Sequence, residues 1–364
     1  MIKIGIAFII LFHGLIHLMG FAKAFKYALV PAIQGDIGKI SGMLWLIAAL
    51  LLLISSGAYF MQWKYFWLIA GIAFVISEIL ILQSWQSAKF GTIANALLLI
   101  LIVVSTAHFG FIRSFEQDVI QCNKSMRFNG DILTLDHLSD LPAPVKKYVI
   151  RSGAVGKEIP HNFKVKMTGK IRASENSEWM NFNVVQYSFI DSPARLFLME
   201  AVMKHLPVTG YHHYISGKAV MDIRLLSLFK VQYAEGKEMD ISETVTFFND
   251  MCLMAPGALI DHRIKWIPID DVTVKAIFST DSISISAILK FNEVGELVNF
   301  ISEDRYYTSS DKTSLRTTWS TPVHRYTDLK GFHLMGEGDA VYSLKEGDFT
   351  YGVFLLTDIT YNVK

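Results

Sequence analysis

Four ionisable side chains, His13, His17, Glu78 and His108, interrupt long apolar runs, where a charge or a proton carrier needs either a partner or a task. His13 and His17 stand four residues apart, on one face of a helix. That spacing suits two ligands of one small metal ion but not the opposite axial ligands of a haem, which would need His13 with His108. If the runs are helices rising about 1.5 Å per residue, His17 and Glu78 lie level, roughly 20 Å deep. A His17 to Glu78 hydrogen bond would neutralise both, as a structural pair, a proton relay or part of a metal site. Asn95 and nearby Thr92 suit hydrogen bonding between helices.

A second set lies further along. Arg195, Arg224 and Arg305 each suit a carboxylate or phosphate headgroup at a pocket mouth, with exposed ion pairs as the ordinary alternative. Around Arg195 the chain is apolar on both sides of a strand: Phe197, Met199, Ala201 and Met203 point one way, Leu196, Leu198 and Val202 the other. Met199 and Met203 fit either a plain core or the adaptable lining of a lipophilic pocket. Glu243 suits a general base, but its place three residues after Asp240 reads as a capping box at a helix start. His212 and His213 project to opposite faces of a strand, as do Asp304 and Arg305, so neither pair serves one ligand.

The elements that must carry the first set are four apolar runs, about residues 4–21, 40–61, 65–85 and 91–112. Each is long enough to cross a bilayer core of roughly 30 Å. Lys23, Phe25, Lys26 and Tyr27 close the first in the way that headgroup layers favour, and Trp45, Trp63, Trp67 and Trp85 fall near run ends, as an aromatic belt would place them. Residues 1–112 are therefore expected to form a four-helix transmembrane bundle, with the lipid bilayer as partner and a multi-pass place in the cell (inner) membrane. Ala22-Lys23-Ala24 also reads as a signal-peptide cleavage site, but His13 and His17 interrupt the run before it.

Four spans return the chain to the side of Met1. Lys3, Lys64, Arg113, Lys124 and Arg127 on that face nearly balance Lys23, Lys26, Lys39 and Lys89 opposite. Weighting the residues closest to the membrane tips the balance toward an extracytoplasmic C-terminal domain.

Only Lys3, Lys23, Lys26, Lys39, Lys64, Lys89, Asp36 and Glu78 are charged before residue 113, out of 34 basic and 33 acidic residues. The two parts carry about +4 and about −3. Neither has the concentrated positive field that phosphate contacts need, which excludes nucleic acid as a partner. Cys122 and Cys252 are the only cysteines, too few for a disulfide framework or a cysteine-rich zinc site.

Residues 113–158 read as a polar stalk followed by a short helix, opened by Pro142 and Pro144 and stopped by Gly153. From residue 159 to 364 the period becomes two. Phe163, Val165, Met167 and Ile171 alternate with Lys164, Lys166, Thr168 and Lys170, and Ile283, Ile285, Ala287, Leu289 and Phe291 alternate with polar residues. About a dozen such stretches, with a single interrupting helix near residues 240–255, predict a curved antiparallel sheet or half-barrel with one or two helices, wrapped around a cavity. The overall fold class is thus a four-helix transmembrane bundle plus a β-rich α+β domain.

Two groups of residues carry a resemblance. His13-Gly14-Leu15-Ile16-His17, Gly20-Phe21-Ala22-Lys23 and Ala88-Lys89-Phe90-Gly91-Thr92-Ile93-Ala94-Asn95 resemble the membrane half of an uncharacterised bacterial family with four N-terminal spans. Glu243-Thr244, Asn249-Asp250-Met251, Ala255-Pro256-Gly257-Ala258-Leu259, Ser302-Glu303-Asp304-Arg305 and Trp319-Ser320-Thr321-Pro322 resemble its soluble half, a domain of unknown function. The resemblance implies no activity and no cofactor. A looser likeness, of topology alone, links the β-rich half to lipoprotein-carrier half-barrels that shelter acyl chains.

No GxSxG, HExxH, P-loop or GxGxxG in a strand-turn-helix context occurs, so nucleophilic, zinc-peptidase, nucleotide and dinucleotide chemistries lack their usual sequence support. Two functions lead, with an undetected hydrolase in the β domain as a third. One is a membrane-anchored protein that binds a lipid or other apolar small molecule through Arg195, Met199, Met203, Arg224 and Arg305. The other is a metal, redox or proton-handling bundle using His13, His17, Glu78 and His108.

Overall fold

The computed structural model describes residues 2–308 and 314–364, and the chain divides into two units, Met1–Arg113 and Ser114–Lys364. The first contains helices α1 (Ile2–Ala24), α2 (Lys39–Phe60), α3 (Phe66–Gln83), the single turn α4 (Trp85–Ala88) and most of α5 (Gly91–Lys124). All but α4 are long and apolar enough to cross a membrane.

Over their long apolar stretches these helices are apolar all round, and many of their large side chains point outward. Phe8, Phe12, Ile54, Ile72, Leu82 and Ile100 are exposed, whereas fully buried positions include Ala48, Ala49, Ala70 and Ala73. Small residues inside let helix axes approach closely, which is how helices associate when their surroundings are as apolar as they are. Gly20 is one such contact: a Cβ there would stand 2.2 Å from the Trp45 ring.

The second unit contains the end of α5, then α6 (Ala143–Arg151), α7 (Lys237–Met254) and fourteen strands. The first six are β1 (Asn162–Ile171), β2 (Met180–Phe189), β3 (Ala194–Met203), β4 (Leu206–Ile215), β5 (Lys218–Leu225) and β6 (Phe229–Glu235). After α7 come β7 (Ile264–Pro268), β8 (Thr273–Ser279), β9 (Ser284–Phe291), β10 (Leu297–Thr308), β11 (Ser314–Ser320), β12 (Val323–Leu329), β13 (Phe332–Leu344) and β14 (Gly347–Tyr361). They form one curled antiparallel sheet in the order 6-5-4-3-2-1-14-13-11-10-9-8-7, with β12 beside β13. β6 and β7 are its two ends, so the curl is a half-barrel.

Alternation along the strands selects the inner face as expected. Phe163, Val165 and Met167 of β1 are buried, as are Ile285, Ala287, Leu289 and Phe291 of β9. Two strands carry no sequence signal of that kind. β7 is a short edge strand ending in Pro268, and β12 lies off the main path with its charged side chains outward. α6 ends as predicted before Gly153, whose φ is +72°. The segment read as a stalk instead contributes to this core, for Leu133 and Leu138 are fully buried.

The inside of the curl is filled by α7. Asp240 and every residue from Ser242 to Met254 are buried. Phe248 stacks on Phe278 with centroids 5.0 Å apart, and Phe300 packs on its other side. Tyr148 donates to the Cys252 carbonyl at 2.9 Å and Tyr361 to that of Met254, fixing the C-terminal end. The expected central cavity is therefore occupied by the chain's own helix.

β1 passes so close to β14 that only glycine fits at residue 169, where a Cβ would lie 2.0 Å from the Val353 carbonyl oxygen. Since backbone must move to admit a methyl group, Gly169→Ala is expected to cost about 1–3 kcal/mol. Chemical denaturation of the full-length chain measures this; an unchanged midpoint would refute the close approach.

Candidate functional site

α7 brings Glu243, Thr246 and Asp250 to one side, two helical turns end to end. Gly236 is its N-cap, with φ +101°, so Asp240 and Glu243 lie inside the helix and do not form the expected capping box. Asp240 turns to the sheet, accepting from the Ala219 amide at 2.8 Å and from Lys218 at 2.9 Å. Glu243 faces β3, where Arg195 donates to it at 3.0 Å and to Asp250 at 2.7 Å. Arg195 is thus a buried bridge between two turns of α7, not a surface ion pair.

Neutral groups complete the cluster. Gln186 donates to Asp250 at 2.8 Å, Asn249 donates to the same carboxylate at 3.2 Å, and Thr321 donates to Asn249 at 2.6 Å. On the far side Arg305 donates to Thr246 at 2.5 Å and to the Tyr342 hydroxyl at 3.1 Å, lies 4.3 Å from the Trp319 ring centroid, and approaches Glu243 at 4.0 Å. His212 also stands 4.0 Å from Glu243. Two guanidiniums face two carboxylates, so the cluster is neutral with His212 uncharged.

The ionisation of the cluster follows from that arrangement. Burial would raise the Glu243 carboxyl, but Arg195 first, then His212 when protonated, and Arg305 hold it below its ordinary value. Burial drives the His212 imidazole down to about 4, with Glu243 opposing and the two arginines assisting. His212 is a neutral neighbour at neutral pH and not a third cation.

A different place offers room. At one end of the half-barrel, strands β1 to β4, β13 and β14 border an open groove of about 990 Å³. Trp179, Met180, Phe182, Val202, Pro207 and Leu355 supply apolar walls, while Lys170, Asn181, Asn183, Glu200 and Glu337 supply polar ones. This mixture suits an amphiphile, with tails against the first set and a headgroup against the second.

None of the five residues read as ligand-binding lines that groove. Arg195 and Arg305 belong to the internal cluster, and Met199 is core. Met203 packs partly buried against that core, and Arg224 forks onto Asp222 with contacts of 2.6 to 3.0 Å. The groove residues were missed because each is unremarkable alone; only Trp179 and Met180 beside the alternating Asn181 and Asn183 give a local hint.

In the helical unit His13, rather than His17, reaches the polar centre. Its Nε2 lies 3.0 Å from the Asn95 Oδ1, and Asn95 in turn donates to Glu78 at 2.8 Å and to Ser77 at 2.9 Å. Thr92 also donates to Glu78, at 3.2 Å. The expected His17 to Glu78 bond is replaced by this network, because Asn95 occupies the position between the helices. His17 donates from Nδ1 to the His13 carbonyl at 2.9 Å, and its buried Nε2 has no hydrogen-bond partner among the described residues. His108 follows Asn95 on α5 by thirteen residues, about 20 Å of helix. It therefore stands too far along for a haem shared with His13. Among the described residues no three His, Cys, Asp or Glu side chains converge on a metal position.

The class these observations define is a chain of four long apolar helices followed by an antiparallel half-barrel threaded by one helix. Residues 131–354 match the family of unknown function DUF6544, and the chain belongs to that family. None of the curated proteins matches it. Among solved structures, it is similar to a DUF1329 family protein from Desulfovibrio piger ATCC 29098, 11% identical with a TM-score of 0.33 over 61% of this chain and 95% of that one. It is also similar to a beta-barrel-like protein of domain of unknown function DUF1849 from Brucella abortus, 7% identical with a TM-score of 0.21 over 56% of this chain and 99% of that one. Neither likeness is close enough to carry an argument.

Glu243→Gln leaves a buried guanidinium short of its counter-charge and is expected to cost about 3–5 kcal/mol. Loss of a helix cap costs only about 1 kcal/mol, so denaturation midpoints of the full-length variant separate the two roles.

A pH titration of stability tests His212. Its folded pKa of about 4 lies below the ordinary 6.5. The unfolded chain binds the proton first as the pH drops, so stability contributed by neutral His212 is present above 6.5 and is lost on falling toward about 4. His212→Gln should flatten the curve in that window; an unaltered slope would show that another group titrates there.

Proposed function

We propose that this protein is a membrane-anchored binding protein: its four apolar helices sit in a cell membrane, and its half-barrel takes a lipid or similar amphiphile in the end groove. The observation that carries the reading is the groove itself. Its volume lies at the upper end of the roughly 300–1,000 Å³ range typical of small-molecule sites, and its walls combine apolar and polar groups on one chain with four membrane-competent helices.

Two further features support binding over chemistry. Four charges inside the half-barrel, on Arg195, Arg305, Glu243 and Asp250, are engaged with one another and hold α7. The groove has Lys170 as its cation and asparagines as its uncharged donors, a set suited to orienting a headgroup.

Mass spectrometry of the full-length protein extracted in mild detergent is expected to find a co-purifying lipid or related amphiphile. Asn183→Trp, at an exposed strand position, fills the groove without entering the core and should abolish that signal while leaving the fold intact by circular dichroism. Equal lipid in wild type and variant would place the ligand elsewhere and overturn the reading.

A further inference from the structure

Two adjacent turns at the groove end of the half-barrel share an uncommon chemistry. The β3–β4 turn, Lys204-His205, has φ of +49° and +69°, and the β5–β6 turn has Leu226 at +56° and Ser227 at +55°. All four residues adopt the left-handed conformation without being glycine, although the Ser216-Gly217 and Lys330-Gly331 turns of the same sheet use glycine there. The Leu226 amide donates to the Pro207 carbonyl at 2.8 Å, and the Thr209 and Ser227 hydroxyls lie 3.1 Å apart, so the two turns form one edge.

That edge exposes large apolar side chains: Phe229 at 61%, Val202 at 58%, Val231 at 51% and Leu206 at 44%. Lys204 and Lys230 stand among them, also exposed. The neighbouring Asp222 is taken up by Arg224, and Glu235 accepts from Tyr233. What remains is an apolar rim with two exposed lysines that form no ion pair among the described residues, Lys230 resting over the Tyr233 ring.

We propose that this edge docks on an anionic bilayer surface, its apolar side chains entering the headgroup layer and its lysines meeting lipid phosphates. Exposed aliphatic and aromatic groups flanked by lysine are what an interfacial region accepts from a protein. A second copy pairing along β6 is the competing occupant, and Lys230 with the flanking charges of Glu235 and Lys237 blunts that strand edge against pairing. The chain's course within this unit agrees. Phe115 packs on Tyr187, two residues from the end of β2 beside Asn162, and on Tyr211 at mid-strand, while Asn123 lies beside Asn162 itself, at the end of the sheet opposite the turns. Traced from Asn123 back to Phe115, the helix runs toward the two turns.

Docking of the turns does not require an occupied groove, so the two readings fail separately. The test uses the full-length chain carrying Cys122→Ser and Leu206→Cys, labelled with an environment-sensitive dye and reconstituted in nanodiscs with quencher-bearing lipids. Discs of phosphatidylglycerol should quench the dye, and discs of phosphatidylcholine should quench it far less. Lys204→Gln and Lys230→Gln should each lower the docked-to-free ratio about fivefold, and Phe229→Ser with Val231→Ser should reduce it further. Equal quenching in the two lipids, whether strong or absent, would overturn the proposal. Dye burial that occurs only in discs holding two copies would overturn it in favour of self-association. Lipid co-purification, measured on the same preparations, reports on the groove alone.

Discussion

The half-barrel depends on the ion-pair bridge from Arg195 to Glu243 and Asp250. α7 is a helix with polar groups at Asp240, Ser242, Glu243, Thr244, Thr246, Asn249 and Asp250, yet it lies inside a curled sheet. Such burial is unfavourable unless every charge is paired and its remaining hydrogen-bonding capacity used. Glu243 and Asp250 are seven residues apart, about two turns, and one guanidinium from β3 spans them. That geometry sets both the depth of α7 and its rotation, since a one-residue slip would carry each carboxylate through about a third of a turn. Arg305, held by Thr246 and Tyr342, fixes the same face from the other arm of the curl. The opposite face, with Phe248 against Phe278 and Phe300, then meets the apolar part of the sheet.

Placing a helix in the concavity changes where a ligand can go. A half-barrel with an empty interior offers its centre; here α7 fills that space and the open groove lies at the end. The groove is bordered by β1 to β4, β13 and β14, with Gly169 passing close to Val353 in its wall. The packing of α7 and the open groove are thereby separated in space. The charged residues that look most like a site are spent on architecture, and the groove is built from side chains of ordinary type.

Much of the architecture was legible because it is local. Period-two alternation in β1 and β9 and the four unbroken apolar runs follow from which face each residue shows. The site was not legible, for reasons specific to each residue. Asp240 and Glu243 carry a capping-box spacing, a signal three residues long, whereas the partners that decide Glu243, Arg195 and Arg305, lie 48 and 62 positions away. Arg195 in an apolar strand was open to surface or pocket readings because nothing nearby in sequence announces two buried carboxylates. In the helical unit, depth counted from assumed run ends put Glu78 level with His17; the structure seats His13, one turn earlier, at Asn95. An error of four residues is about 6 Å of rise, enough to exchange one histidine for the other.

The order of donors in that second network limits what it can do. Asn95 uses its carbonyl oxygen toward His13 and its amide nitrogen toward Glu78 and Ser77. His13 must then donate from Nε2, and Glu78 must accept from both Asn95 and Thr92. An amide in the middle of such a chain orients its neighbours, but it neither takes up nor releases a proton under ordinary conditions. A proton leaving His13 toward Glu78 would have to bypass Asn95, and Ser77, the other group at His13, hydrogen-bonds to Asn95 again. The network therefore fastens α1, α3 and α5 together, for the same reason that the arginine bridge fastens α7. In both units polar side chains placed among apolar ones close upon themselves, and the surfaces left free to meet other molecules are the plain ones at the edges.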